Sequence, residues 1–191
     1  MVLGVILAGG RSRRMNGPDK ALIEIGGRPL IAHVHARLGP QVERVVLNVN
    51  TAPERFAFLN CPIVADDTPD FPGPLAGIIA GLAAADTGLV VFAPCDSPLL
   101  PLDLVARLSG AIGPGMVAAA ASGERIHPVF SLWRRGALPD LRRLLDGGER
   151  RMTRILEAMG AIRVSWPDDP FLNLNTPEDC RVLTQRLADG D

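Results

Sequence analysis

At 191 residues, with 47% hydrophobic and 21% charged side chains, the chain has the length and composition of one soluble globular domain, residues 1–191. A formal net charge of −1 excludes bulk attraction to nucleic acid or to an anionic membrane, so any anion binding must come from a local patch. Cys61, Cys95 and Cys180 are odd in number, far apart and fit no metal-binding spacing, which predicts free thiols in a reducing, cytoplasmic setting.

The first apolar run, Val2 to Ala8, predicts a strand buried on both faces, as in a parallel sheet. No positive charge precedes it and arginines follow it, so it does not read as a secretory signal. Nor does any uninterrupted apolar stretch approach the roughly 20 residues of a membrane span. The run stops at Gly9-Gly10, and Arg11, Arg13, Arg14 and, after a proline turn, Lys20 follow. Loops at the carboxyl ends of strands bind ligands in open α/β sheets, and glycines with four cations there suit a polyanion, foremost phosphates. The Walker and G-x-G-x-x-G patterns are both absent. The plainer alternative is a basic surface loop that aids solubility.

Gly26-Gly27 closes a short segment, Ala21 to Ile25, and Pro29 opens a helix over Leu30 to Leu38. His33 and His35 lie two apart on that helix and read as surface or packing residues. Glu43 to Asn50 predicts the second strand, ending in Asn48 and Asn50, whose amides could read a base or ribose or could simply form a turn. Pro53 to Leu59 predicts a short helix. Cys61 to Asp66 predicts the third strand, which delivers Asp66 and Asp67 into a loop. Leu75 to Ala85, after Pro74, predicts a buried helix of small and apolar residues, with Gly73 and Gly77 serving either ligand approach or packing.

Leu89 to Ala93 predicts a central strand, and Asp96 follows it between Pro94 and Pro98. A carboxylate at a strand end opposite a basic phosphate loop suits a hard cation such as Mg²⁺. Asp96 stands too early to cap the next helix, Leu102 to Ile112, and Cys95 reads as packing. Met116 to Ala121 and "ERIHPVFSLW" predict two more strands; His127-Pro128 could line a pocket, although a lone His before a Pro is usually structural. Helices over Ala137 to Leu145 and from Glu149 to Met159, a last strand over Ala161 to Ser165, and a final helix from Thr176-Pro177 to about Leu187 complete the chain. Asn173 and Asn175 alternate with Leu172 and Leu174, so both amides face one side of an extended segment. The alternation predicts a doubly wound α/β fold, a mostly parallel sheet with helices on both faces and one antiparallel excursion near residues 115–133.

A glycine-rich cationic loop, a lysine, a strand-end carboxylate and several amides, with no evident nucleophile or general base, suit phosphoryl or nucleotidyl transfer. "LAGGRSRRM" with "DKAL", then "FPGPLAG", "PCDSPLLP", "HPVF" and "NLNTPED", resemble the molybdenum cofactor guanylyltransferases, of the Rossmann-like nucleotidyltransferase group, from Leu7 to Asp179. Asn16 stands where that family usually has glycine.

The resemblance implies that GTP and molybdenum-bearing molybdopterin give the guanine dinucleotide cofactor and pyrophosphate, with Mg²⁺ as cofactor. By motif, Leu7, Ala8, Gly9 and Gly10 match the nucleotide loop and Lys20 its phosphate-binding lysine. Asn48 matches the amide near the guanosine, Asp67 the nucleotide-binding acid after the third strand, and Asp96 the magnesium-binding aspartate. Asn173 and Asn175 match the late pair on the pterin side, expected near the pterin phosphate or the metal. Lys20 and Asp96, with Arg11 or Arg14 at the leaving pyrophosphate, are the expected catalytic set. The implied partners are GTP, molybdenum-molybdopterin and, in passing, cofactor-biosynthesis proteins and apo-molybdoenzymes. A cytidylyltransferase for the same pterin, a sugar-phosphate nucleotidyltransferase and a non-enzymatic GTP-sensing adaptor are the competing readings.

Overall fold

A computed structural model describes residues 1–9, 20–67, 73–174 and 176–188. Strand β1, Val2–Leu7, is the pivot: Leu3, Val5 and Ile6 are fully buried, because helices cover both faces of the sheet around it. On one side β1 pairs in parallel with β4, Arg44–Asn48, and beyond it lies β5, Ile63–Val64. On the other side it pairs in parallel with β6, Leu89–Pro94. The hairpin of β7, Val117–Ser122, and β8, Arg125–Arg134, follows, and β9, Ile162–Trp166, closes the far edge. The order across the seven strands is β5-β4-β1-β6-β8-β7-β9, and β8 alone runs against the rest of this sheet. The two short strands β2, Glu24–Ile25, and β3, Arg28–Pro29, form a separate antiparallel hairpin around Gly26 and Gly27, both at positive φ.

The period-two alternation of a strand sends neighbouring residues to opposite cores. Ile6, Leu47, Val91 and Ala120 meet helices α1, Leu30–Leu38, and α3, Leu104–Ala111, through Ile31, Val34, Leu104 and Leu108. Val5, Val46, Phe92 and Trp133 meet α2, Pro74–Ala84, α4, Leu138–Asp146, and α5, Met152–Ala158, through Ile78, Leu82, Leu141 and Ile155. Each Leu or Ile buried in this way contributes about 1.5–3 kcal/mol, so both helical layers are held chiefly by area. The last helix, α6, spans Pro177–Ala188, and Leu183 joins Leu30, Leu99 and Leu174 in a smaller cluster.

Two elements depart from the sequence reading. The segment expected as a strand over Cys61 to Asp66 pairs only at Ile63–Val64, an edge held by a two-residue register with β4. Pro53–Leu59 is a 3₁₀ helix, flanked by Ala52 and Asn60 in left-handed conformation, which ends it at both sides.

Candidate functional site

The central strands finish level. Leu7 at the end of β1 lies opposite Asn48 of β4 on one side and Pro94 of β6 on the other. Backbone bonds carry the register past the strand ends: Ala8 N–H donates to Asn48 O at 2.9 Å and Cys95 N–H to Leu7 O at 3.1 Å. Strand order reverses around β1, and the crevice beyond such a reversal is where open α/β sheets bind ligands. A cavity of about 400 Å³ opens there.

Leu7, Ala8, Gly9, Lys20, Asn48, Asp96 and Asn173 all line this cavity. Residues from the chain's start, its middle and its end therefore converge. Lys20 Nζ donates to Asp96 Oδ2 at 2.6 Å, and the two side chains are 27% and 18% exposed, shielded enough for the pair to matter yet open to a ligand. Asp96 is also tied by its backbone, whose carbonyl accepts Leu174 N–H at 2.8 Å. The hydroxyl of Ser97 donates to Asn173 Oδ1, so the late segment is fastened to the end of β6. Gly10, Arg11, Arg14 and Asn175 lie outside the described residues.

The acid after β5 differs from the expected one. Asp66 lines the cavity, whereas Asp67 Oδ2 faces Arg142 Nη2 at 3.7 Å. The chain bends at Asp67, beyond the end of β5, and only Asp66 is turned into the cavity. Asp66 is clamped from two strand-end amides. Asn48 Nδ2 donates to Asp66 Oδ1 at 2.8 Å and Asn50 Nδ2 to Asp66 Oδ2 at 2.8 Å. Asn50 Oδ1 accepts the Asp66 N–H at 2.8 Å, and Asn50 Nδ2 reaches Gly9 O at 3.3 Å. The Asn48 side chain, expected to read a base or form a turn, is 98% buried and spends its donor on Asp66.

Two glycines make room for this clamp. A Cβ on Gly9 would sit 2.5 Å from Asn50 Nδ2. One on Gly77 would overlap Asn48 Oδ1 and reach within 2.9 Å of Leu7 Cδ2, so Gly77 serves the packing of α2 over the strand ends.

Strand β8 supplies the opposite side of the cavity with Arg125, His127, Pro128 and Phe130. His127, for which the sequence allows both a structural and a pocket-lining reading, is only 6% exposed yet borders the cavity. Burial pushes its pKa down, Asp169 pulls it up and Arg125 lowers it further, with a net fall from 6.5. The pocket-lining alternative for His127-Pro128 is thus the one the structure favours, and Pro128 carries the signal for it, since proline inside a sheet is confined to edges, strand starts and bulges.

Among the described residues no three His, Cys, Asp or Glu gather into a metal cluster. Asp96 Oδ1, however, is buried with no hydrogen-bond partner among the described residues. One carboxylate oxygen lacking a donor fits Mg²⁺, which takes one or two carboxylates and completes its shell with phosphates and water.

The model of the MobA-like NTP transferase domain matches residues 4–164. The molybdenum cofactor guanylyltransferase of Serratia proteamaculans is 45% identical over 94% of this chain and 92% of its own. That of Cereibacter sphaeroides is 47% identical over 93% of each. In structure, the molybdopterin-guanine dinucleotide biosynthesis protein A of Archaeoglobus fulgidus superposes with a TM-score of 0.79 at 20% identity, covering 99% of this chain and 100% of that one. At that identity the likeness concerns the Rossmann-like nucleotidyltransferase fold.

Proposed function

The chain belongs to the molybdenum cofactor guanylyltransferases, nucleotidyltransferases with a MobA-like domain, and we propose that it carries out their reaction at the Lys20–Asp96 pair. It transfers GMP from GTP to molybdopterin bearing molybdenum, giving the guanine dinucleotide cofactor and pyrophosphate. One oxygen of the acceptor's terminal phosphate forms a bond to the α-phosphorus of GTP. The bond from that phosphorus to the α–β bridging oxygen breaks, and its electron pair leaves with pyrophosphate. A phosphate monoester is already anionic at neutral pH, so no protein base has to remove a proton.

The observation that carries this reading is the 2.6 Å contact between Lys20 Nζ and Asp96 Oδ2 on the cavity floor beside Gly9. Lys20 would exchange Asp96 for phosphate oxygens when the nucleotide enters. Asp96 is the residue that would hold Mg²⁺, which supplies charge neutralisation at the reacting phosphate. Leu7, Ala8, Gly9 and Gly10 would border the nucleotide, with Arg11 or Arg14 of the same loop countering charge on the leaving group. Asp66, orienting its carboxylate through Asn48 and Asn50, takes the nucleotide-binding place that the resemblance gave to Asp67. Asn173 and Asn175 would face the pterin. The product passes to apo-molybdoenzymes through brief contacts with other cofactor-biosynthesis proteins.

A cytoplasmic setting is supported by three free cysteines. Among the described residues no helix is long and apolar enough to cross a membrane.

Incubation with molybdopterin, Mg²⁺ and each nucleoside triphosphate, followed by pyrophosphate release, tests the reading. Turnover with GTP is expected. Preference for CTP, or turnover only with a sugar phosphate, would transfer the chain to one of the enzymatic alternatives. GTP binding with no turnover would favour the adaptor.

A further inference from the structure

The strand opposite the nucleotide wall is deformed at the cavity. Ala119 of β7 pairs with Ser131 of β8, but the next residue, Ala120, pairs with His127. Pro128, Val129 and Phe130 are thus extra on β8 and stand out of the ladder. All three line the cavity. Bulges next to active sites re-aim side chains, and this one sets the direction of the strand that carries Arg125 and His127.

Both residues are held from outside the cavity. His127 Nε2 and Ser122 Oγ share a hydrogen bond at 2.6 Å, Asp169 Oδ1 lies 3.4 Å from the same nitrogen, and the ring sits 4.4 Å from that of Phe171. Arg125 Nη1 lies 3.7 Å from Asp169 Oδ2, close enough to be oriented and too far for a tight hydrogen bond. Its side chain is 69% exposed, so the guanidinium remains accessible.

The reaction brings together two phosphates, and each needs its own counter-charge. Among the described residues the cavity's Lys and Arg side chains are Lys20, paired with Asp96 on the floor, and Arg125 on the β8 wall. With Lys20 and Arg11 or Arg14 assigned to the triphosphate, Arg125 is the described cation left to meet the acceptor. We propose that Arg125, with His127 beside it on the bulged strand, binds the terminal phosphate monoester of the pterin acceptor, and Asp169 positions both. This rests on the guanylyltransferase reading. A planar guanidinium fork suits a phosphate better than a point charge does, and a ring nitrogen adds a further hydrogen-bonding group. Asn173, on the strip between the walls, has its carbonyl oxygen engaged by Ser97, which leaves its amide as the donor end.

The test varies GTP and molybdopterin separately in steady-state assays and measures equilibrium binding of each alone. Arg125→Ala is expected to raise the acceptor KM and weaken molybdopterin binding about tenfold or more, the usual size for a lost charge-assisted hydrogen bond. GTP binding should change by no more than about twofold, the scale of a surface change remote from the nucleotide. Arg125→Lys should recover part of the loss, because it keeps the charge without the fork. His127→Gln should raise the same KM by a smaller factor. An unchanged acceptor KM in Arg125→Ala, or an equal rise in the KM for GTP, would overturn the proposal. Should the unmodified chain release no pyrophosphate, the guanylyltransferase reading fails, and the comparison of molybdopterin binding between it and Arg125→Ala still decides the acceptor site.

Discussion

On one side of the cavity, Asn48, Asn50, Asp66 and Gly9 hold one another at the carboxyl ends of parallel strands. On the other, Arg125 and His127 stand within an antiparallel strand, set by an irregularity in its pairing and fastened to Asp169 at longer range. The first wall is fixed by topology: strands that finish level deliver their next residues to the same place. The second is fixed by an insertion in one strand, so its geometry depends on local packing against Phe130 and Phe171. A rigid wall suits a nucleotide bound in one orientation. A wall whose guanidinium is held by one exposed ion pair can let that group adjust to a larger acceptor.

The sharpest way to break this comparison is to remove the floor common to both walls. Asp96→Ala and Lys20→Ala should each lower kcat about 100-fold or more, by analogy with deleting one preorganised group that stabilises transition-state charge. Circular dichroism should show both variants folded; near-normal turnover in either would remove the pair from the chemistry.

Gly77→Ala probes the rigidity of the nucleotide wall. The added methyl overlaps Asn48 Oδ1, and overpacking of this kind costs about 1–3 kcal/mol. Denaturant unfolding should register the loss, and the KM for GTP should rise while binding of molybdopterin alone stays put. Asn50→Ala is milder, since it removes the amide that fastens Asp66 to Gly9 and leaves Asn48 in place. A loss of about 1 kcal/mol in GTP binding is expected, with Asn50→Asp no better because it sets a second carboxylate against Asp66.

The smallest effect separates the walls by pH. Burial lowers the pKa of His127, and Asp169 only partly offsets it. His35 on α1 is lowered too, by burial and by Arg28. Both groups hold protons more weakly when folded, so their share of stability is complete above the unfolded value of 6.5 and is lost as pH falls from there toward the lowered folded values. Thermal melts of His127→Asn should show a shallower decline over that range than the parent chain. An identical slope would mean that the ring gains its proton without penalty.

The same division governs what the sequence reveals. Asn48 and Asp96 were legible because one ends and the other follows an apolar run read as a buried strand, and the parallel fold then places the strand ends together, while Lys20 was legible as the last cation of the loop after β1. The choice between Asp66 and Asp67 was not, because β5 pairs over just two residues and gives no long alternation to count along. Whether His127 lines the pocket or is merely structural stays open in the sequence for a different reason. "RIHPVFSLW" reads as one continuous strand, and the displaced pairing arises from its contact with β7, a partner that local periodicity does not contain.

The bare backbone at Gly77 ties two distant positions into one size constraint. Asn48 passes beneath α2 only because that helix presents a hydrogen there, so the combined volume at 48 and 77 is bounded although 28 residues separate them in sequence. A chain that gains a side chain at 77 must shrink the one at 48, and with it gives up the amide that aims Asp66. The cost of a larger residue at 77 is therefore expected to fall when the residue at 48 is made smaller.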